Sequence, residues 1–307
     1  KDYEAGAALT GKGGIRQRLG AVDMEFFGRA YFPHYFSRPS PEFHRELDAI
    51  WQDGVLKGLT PSTPKLVKQI SRMNGCKRVV AAPRGHAKST SLTFKGTIHA
   101  VVYGYKHYPI IISDSSDQAE GFLDNIRVEF EENEAIREDF GDLTGKVWRS
   151  NVLVTSTNIK VEAIGSGKKI RGRKHRNWRP DLLILDDIEN DENVRTPEQR
   201  AKLDSWFKKA VSKAGDDYTD IVYIGTLLHY DSLLANTLKT LDTRRLSTGQ
   251  LYRFHRKQTC GRSGKISSPT CLMKTMRKMH ESSLKRTGKR CWPGQKFSGR
   301  KNSLTMI

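Results

Sequence analysis

Cysteine is scarce in this chain, and its scarcity has a position. Of four cysteines among 307 residues, Cys260, Cys271 and Cys291 all fall after residue 241. Cys76 alone serves the first 241 residues, which excludes a disulfide framework there and fits a reducing cytoplasm. His255 and His280 lie near the late cysteines, but no C-x-x-C spacing occurs, so no zinc site is expected. Long apolar runs are also missing, and no segment is apolar enough to span a bilayer. The opening "KDYEAGAALTGKGG" lacks the apolar core of a signal peptide. It lacks an initial Met as well, and the chain is expected to be a fragment.

Residues 242–307 lack still more. They contain no Ala, no Val, no strand-like run and no long amphipathic stripe. They hold 17 Lys and Arg against two acids, Asp242 and Glu281, a net +15. The first 241 residues hold 36 Lys and Arg against 32 acids, a net +4, so the overall +19 belongs mainly to the tail. Two readings of the tail stand. It is a disordered basic extension that binds nucleic acid, or it is translation in the wrong frame from about residue 240. "CGRSGK", Cys260 to Lys265, can be encoded by bases that give Trp-Glu-Glu-Trp-Glu in a shifted frame, an ordinary amphipathic stretch.

What is present before residue 242 is regular. Residues 1–20 are Gly-rich and expected to be mobile. "MEFFGRAYFPHYFSRPSPEFHRELDAIWQ" predicts two helices joined by a turn, with its aromatics mostly in the core. From Lys77 onward, short apolar runs alternate with helical patterns. "RVVAAP", "YPIIISD", "DLLILDD" and "DIVYIGT" read as buried strands, and "NVLVTSTNIKVEAIG" as a hairpin. "KSTSLTFKGTIHAVVYG" and "SDQAEGFLDNIRVEFEEN" read as helices. In "TPEQRAKLDSWFKKAVSKAG", Thr196 caps a helix, Pro197 takes its first turn and Gly215 stops it. Leu203, Trp206, Phe207, Ala210 and Val211 form its apolar stripe. This grammar predicts an α/β fold with a largely parallel sheet covered on both faces.

Two stretches carry chemistry. "APRGHAKST" lies between a strand and a helix and approximates G-x-x-x-x-G-K-[ST], with Ala82 and Ala87 where the pattern has glycine. Holding a triphosphate takes converging backbone N–H groups, a helix N-terminus and a cation. Gly85, His86, Ala87 and Thr90 are the candidate cradle, Lys88 the cation for β and γ phosphates, and Ser89 a hydroxyl for Mg2+. Arg84 is a candidate γ-phosphate contact. "RPDLLILDDIEND" is a buried strand ending in two acids. Asp186 is the candidate metal acid and Asp187 the base that orients and deprotonates water, preferred over Glu189 because it directly follows Asp186. Asp stands there where Glu is usual.

These motifs, with the segments around them, resemble the large terminase subunit of tailed bacteriophages, the ATPase that drives DNA into the procapsid. "YFPHYFSRPSPEFHREL" is similar to that family's aromatic N-terminal segment, "AAPRGHAKST" to its deviant Walker A and "IIISDSSDQAEGFL" to the strand and helix that follow. "IGSGKKIRGRKHRNWRPDLLILDDIENDENVRTPEQRAKLDSWF" is similar to its Walker B region, and "YIGTLLHYDSLL" to its coupling motif. The resemblance runs from about residue 22 to about 238. It implies an additional-strand P-loop NTPase fold, ATP and Mg2+, a homo-oligomeric ring on the portal protein, a small terminase subunit as partner and double-stranded DNA as cargo. It carries roles onto Lys88, Ser89, Arg84, Asp186 and Asp187, and makes Thr226 the coupling residue. Arg171 is the candidate arginine for a neighbouring subunit's ATP, or a DNA or phosphate contact.

The expected organisation is a helical and aromatic segment over 1–60, a P-loop ATPase domain over 61–241 and the basic tail over 242–307. The family's nuclease domain is not expected in this chain, because the tail is too short and too poor in acids. The expected setting is the bacterial cytoplasm, from a phage or prophage gene. The rival readings are a helicase-like P-loop ATPase, a basic nucleic-acid-binding protein with a degenerate nucleotide fold, and an inactive prophage remnant.

Overall fold

Four strands of this chain are buried at nearly every position: β1 (Lys77–Ala81), β2 (Pro109–Ser113), β6 (Leu182–Asp186) and β7 (Asp220–Gly225). Such runs have no solvent face to offer, so they form where both sides of a sheet are covered. The computed structural model describes residues 8–57, 74–243 and 251–253. All of these lie in one compact unit, Lys1–Arg256. Most of the basic tail, including the proposed shifted segment, lies outside the described residues.

The remaining strands are β3 (Val147–Arg149), β4 (Val152–Val154), β5 (Lys160–Gly165) and β8 (Leu251–Arg253). The sheet order is β3-β4-β5-β2-β6-β7-β1-β8. From β5 to β8 every pairing is parallel, and only β3–β4 and β4–β5 are antiparallel. Hence the hairpin expected in "NVLVTSTNIKVEAIG" forms. β7 sits between β1 and β6, which is the extra strand that defines the additional-strand order.

Alternate residues of these strands feed opposite faces, as the two-residue period of a strand requires. Val79, Ile110, Ile112, Leu183, Leu185, Ile221 and Tyr223 point into one core. That core is closed by α7 (Pro197–Lys209) and α8 (Leu233–Thr243). Val80, Leu182, Ile184, Val222 and Ile224 point the other way. There they meet α3 (Glu42–Gly54) through Leu47, Ile50 and Trp51. Beside them, Phe27 and Tyr31 of α2 (Met24–Tyr31) and Leu123 and Ile126 of α5 (Ser116–Glu132) pack on Ile111.

Four local expectations are corrected. From residue 8 onward the Gly-rich start is not free: α1 (Ile15–Gly20) forms, and the Arg16 guanidinium grips both carboxylate oxygens of Asp139 at 2.7 and 2.8 Å. Asp139 belongs to α6 (Glu134–Phe140) and also accepts from Tyr31, so a buried carboxylate fixes α1 to the body. The helix expected from Lys88 begins as a π-helical segment, Ser89–Lys95, and becomes α4 (Gly96–Val102) only afterwards. α7 has the expected capping box between Thr196 and Gln199, but it ends at Lys209 rather than at Gly215. A 3-10 turn, Val211–Lys213, follows and swings Val211 and Ala214 into the core. Finally, the tail contributes a strand: β8 pairs in parallel with β1. An open strand edge recruits backbone N–H and C=O groups, and that needs no apolar run.

Candidate active site

Parallel strands bring their carboxyl ends to one edge, and in this sheet order the ends of β1, β7 and β6 are neighbours. In open α/β sheets that edge is where ligands are held. The connection after β1 starts at Ala82, whose N–H donates to the carbonyl of Gly225 at the end of β7 (3.0 Å). It turns through Gly85 at φ +79° and Ala87 at φ +50°. The left-handed region costs an alanine about 1–2 kcal/mol, so Ala87 holds a conformation suited to the glycine of the pattern. Arg84, Gly85 and His86 are exposed. The His86 ring meets Phe43 edge-on at 5.6 Å, and His44 Nε2 lies 3.1 Å from the His86 carbonyl, so α3 braces the loop.

Lys88 then turns back into the molecule. Its ammonium is buried and reaches Asp187 Oδ2 at 2.7 Å. Ser89 Oγ donates to Asp186 Oδ1 at 3.0 Å. Residues about a hundred positions apart in sequence therefore meet at the sheet edge: Lys88 and Ser89 from one motif, Asp186 and Asp187 from the other. Thr90 is half-buried on the same segment. Two further residues hold Asp186, and sequence reasoning missed both. Thr93 donates to Oδ2, and Ser113 Oγ donates to the Asp186 carbonyl at 2.8 Å. The available signal was a buried hydroxyl on an apolar face, four residues after Ser89.

Burial pushes the Asp186 carboxyl up to about 6, with the Thr93 hydroxyl and the neighbouring Asp187 acting as smaller, opposed influences. An ordinary Asp titrates near 4. The folded protein therefore favours protonated Asp186, and this contribution to stability is full below pH 4 and lost as pH rises through 6. Below about pH 6, any ligand that needs the carboxylate must displace that proton.

Asp187 sits at φ +45°, just past the end of β6. Its Oδ1 accepts from the Thr226 N–H at 3.0 Å, so the residue after β7 fixes the side chain that faces Lys88. Short polar side chains tolerate the left-handed region better than long ones. A short acidic side chain such as Asp187 therefore suits this backbone better than a glutamate would. Thr226 Oγ1 is buried and has no hydrogen-bond partner among the described residues. Glu189 faces elsewhere: its carboxylate accepts from the N–H groups of Leu233 (2.6 Å) and Leu234 (3.0 Å) and from Tyr223. It caps α8, which leaves Asp187 as the carboxylate at the Lys88 cluster.

Arg171 is not part of this cluster. It is exposed and lines a separate cavity of about 760 Å3 with Asn190, Lys202 and Trp206.

The fold has a solved counterpart. The crystal structure of the HK97 bacteriophage large terminase superposes with a TM-score of 0.50 over 89% of this chain, at 11% identity. This is a terminase-like fold. The chain spans about half the length of that protein, covering 53% of it. No protein-family model and no curated protein matches the sequence. No helix among the described residues is long and apolar enough to cross a membrane.

Proposed function

We propose that this chain is an ATP-hydrolysing motor subunit of the phage large-terminase kind, moving double-stranded DNA into a procapsid. One observation carries the reading. A buried lysine, a serine and two successive aspartates converge at the carboxyl edge of an additional-strand sheet, with Lys88 Nζ 2.7 Å from Asp187 and Ser89 Oγ 3.0 Å from Asp186.

In this reading the Lys88 ammonium leaves Asp187 for the β and γ phosphate oxygens of ATP. Asp187 is then free to orient a water and take its proton, with its side chain still aimed by the Thr226 N–H. Arg84 and the backbone N–H groups from Gly85 to Thr90 line the phosphate side. The donors beside Asp186 suit Mg2+: one carboxylate and one hydroxyl, both hard oxygens. No cluster of three or more metal-binding side chains occurs among the described residues. Such a sparse set fits an ion that keeps waters and shares nucleotide phosphates. Ser89 and Asp186 would hold it, and it supplies neutralisation of phosphate charge. Arg171, outside the cluster, is assigned either to a neighbouring copy's nucleotide in a homo-oligomeric ring or to a DNA or phosphate contact. The portal protein and a small terminase subunit are the proposed partners.

The test is phosphate release by the full chain with Mg2+ and ATP, with and without linear double-stranded DNA. Turnover that rises with DNA is expected. DNA affinity without turnover at any DNA length would support instead a basic binder with a degenerate nucleotide fold. Acid sensitivity gives a second check. Because the metal needs ionised Asp186, affinity for Mg2+-ATP should fall about tenfold per pH unit below about 6. Titration with a fluorescent ATP analogue reads it, and Asp186→Asn should flatten the profile. An unchanged slope in that variant would remove Asp186 from the metal.

A further inference from the structure

The near-neutral net charge of the first 241 residues hides a local concentration. Between Lys168 and Arg179 there are seven Lys and Arg and no acid: Lys168, Lys169, Arg171, Arg173, Lys174, Arg176 and Arg179. Carboxylates answer only two of them, Glu162 for Arg173 and Asp216 for Arg179. Lys168, Lys169 and Arg171 are exposed, at the end of this connection that leaves the carboxyl edge of β5. None has an ion pair among the described residues.

The facing wall is α7. It turns Lys202, Trp206 and Lys209 into the 760 Å3 cavity that Arg171 lines from the other side. The Trp206 indole N–H donates to the Lys168 carbonyl at 3.0 Å, so the two walls are tied together. Lys202 and Lys209 are exposed and two helical turns apart, about 10 Å along the axis. That equals roughly three steps of a DNA strand, which rises about 3.4 Å per phosphate. Glu192 is the one acid in the wall. The N-terminus of α7 is not available for a compact anion, because Thr196 and Gln199 occupy its first N–H groups in the capping box. What remains is an open groove with a spaced row of unanswered cations and an aromatic floor.

We infer that this groove between Arg171 and α7, lined by the cations Arg171, Lys202 and Lys209, is a contact surface for the phosphodiester backbone of DNA. The inference rests on the motor reading above, and it places DNA contact on the folded body rather than solely on the basic tail. Ammonium groups at this spacing neutralise phosphates roughly three steps apart on one strand and release their counterions, a term that is independent of base sequence and steep in salt.

Two measurements on the full chain test it. In the first, mild lysine acetylation is read by mass spectrometry with and without a short blunt duplex. Lys202 and Lys209 should lose reactivity several-fold, while Lys77, exposed at the opposite edge of the sheet, should not. Tripolyphosphate at the same phosphate concentration should give no protection. In the second, the salt dependence of duplex binding is compared with Lys202→Ala/Lys209→Ala. The slope of log Kd against log salt should fall by about 2, with DNA-free ATP turnover unchanged. The tail contributes equally to both proteins, so the difference isolates the groove. Duplex binding with Lys202 and Lys209 unprotected and the slope unchanged overturns the inference alone. Equal protection by tripolyphosphate overturns it in favour of a compact phosphate site. Absence of any duplex binding by the unaltered chain overturns the motor reading itself.

Discussion

Asp187→Asn is expected to bind ATP with near-normal affinity and to hydrolyse it about 10²–10⁴-fold more slowly, the usual worth of a positioned general base. The substitution is chosen to leave the surroundings in place. Asn tolerates the left-handed backbone that Asp187 adopts at φ +45°, and its amide oxygen can still accept from the Thr226 N–H. What disappears is the negative charge facing Lys88 and the capacity to take a proton. Glu189→Gln is the control. Its carboxylate receives the first N–H groups of α8, so that change should lower thermal stability and leave turnover per folded molecule largely intact. Nucleotide binding by equilibrium titration and phosphate release by a continuous assay separate the two. Turnover in Asp187→Asn close to that of the unaltered chain would strip Asp187 of its role. A block in Glu189→Gln instead would move that role two residues along.

Much of this site was legible because its chemistry is local in sequence. A lysine and serine after one apolar run, and two aspartates after another, are short patterns, and strand ends in a parallel sheet bring such patterns together. The alternation of strands and helices was legible for the same reason. Strands buried on both faces read as unbroken apolar runs, as in "LLILD" and "PIIIS". What was not legible depends on long-range partners. Asp139 fixes α1 from a distance of more than a hundred residues, and nothing in "GKGGIRQRLG" announces it. Thr93 looks like a poor helix residue until Asp186 is placed beside it. The three residues of β8 are too short a run to read as a strand in the sequence, and only their parallel pairing with the edge of β1 shows them to be one. Net charge misled in one respect. Summed over 241 residues it is nearly balanced, and only the fold shows that Lys202 and Lys209 face a connection that is itself rich in cations.

Lys88→Ala should have the largest effect, and of a different kind from Asp187→Asn. Lys88 has helical backbone angles, φ −59° and ψ −43°, which suit alanine, so the loop is expected to fold. In the absence of nucleotide, Asp187 loses its partner but is still held by the Thr226 N–H. The loss therefore falls on ATP. A buried ammonium that bonds charged phosphate oxygens is worth about 1.5–3 kcal/mol in binding, or roughly 10–100-fold in Kd. Its further stabilisation of the charge that develops during phosphoryl transfer should take turnover down by about 10³-fold or more. The two variants thus make a pair: one weakens binding and chemistry together, the other chemistry alone. If Lys88→Ala retained turnover within about tenfold of the unaltered chain, the 2.7 Å contact with Asp187 would be a structural ion pair at a sheet edge, and the nucleotide would have to sit elsewhere. Loss of turnover with the fold intact would tie the phosphate cation, the metal-holding pair and the base to a single ligand.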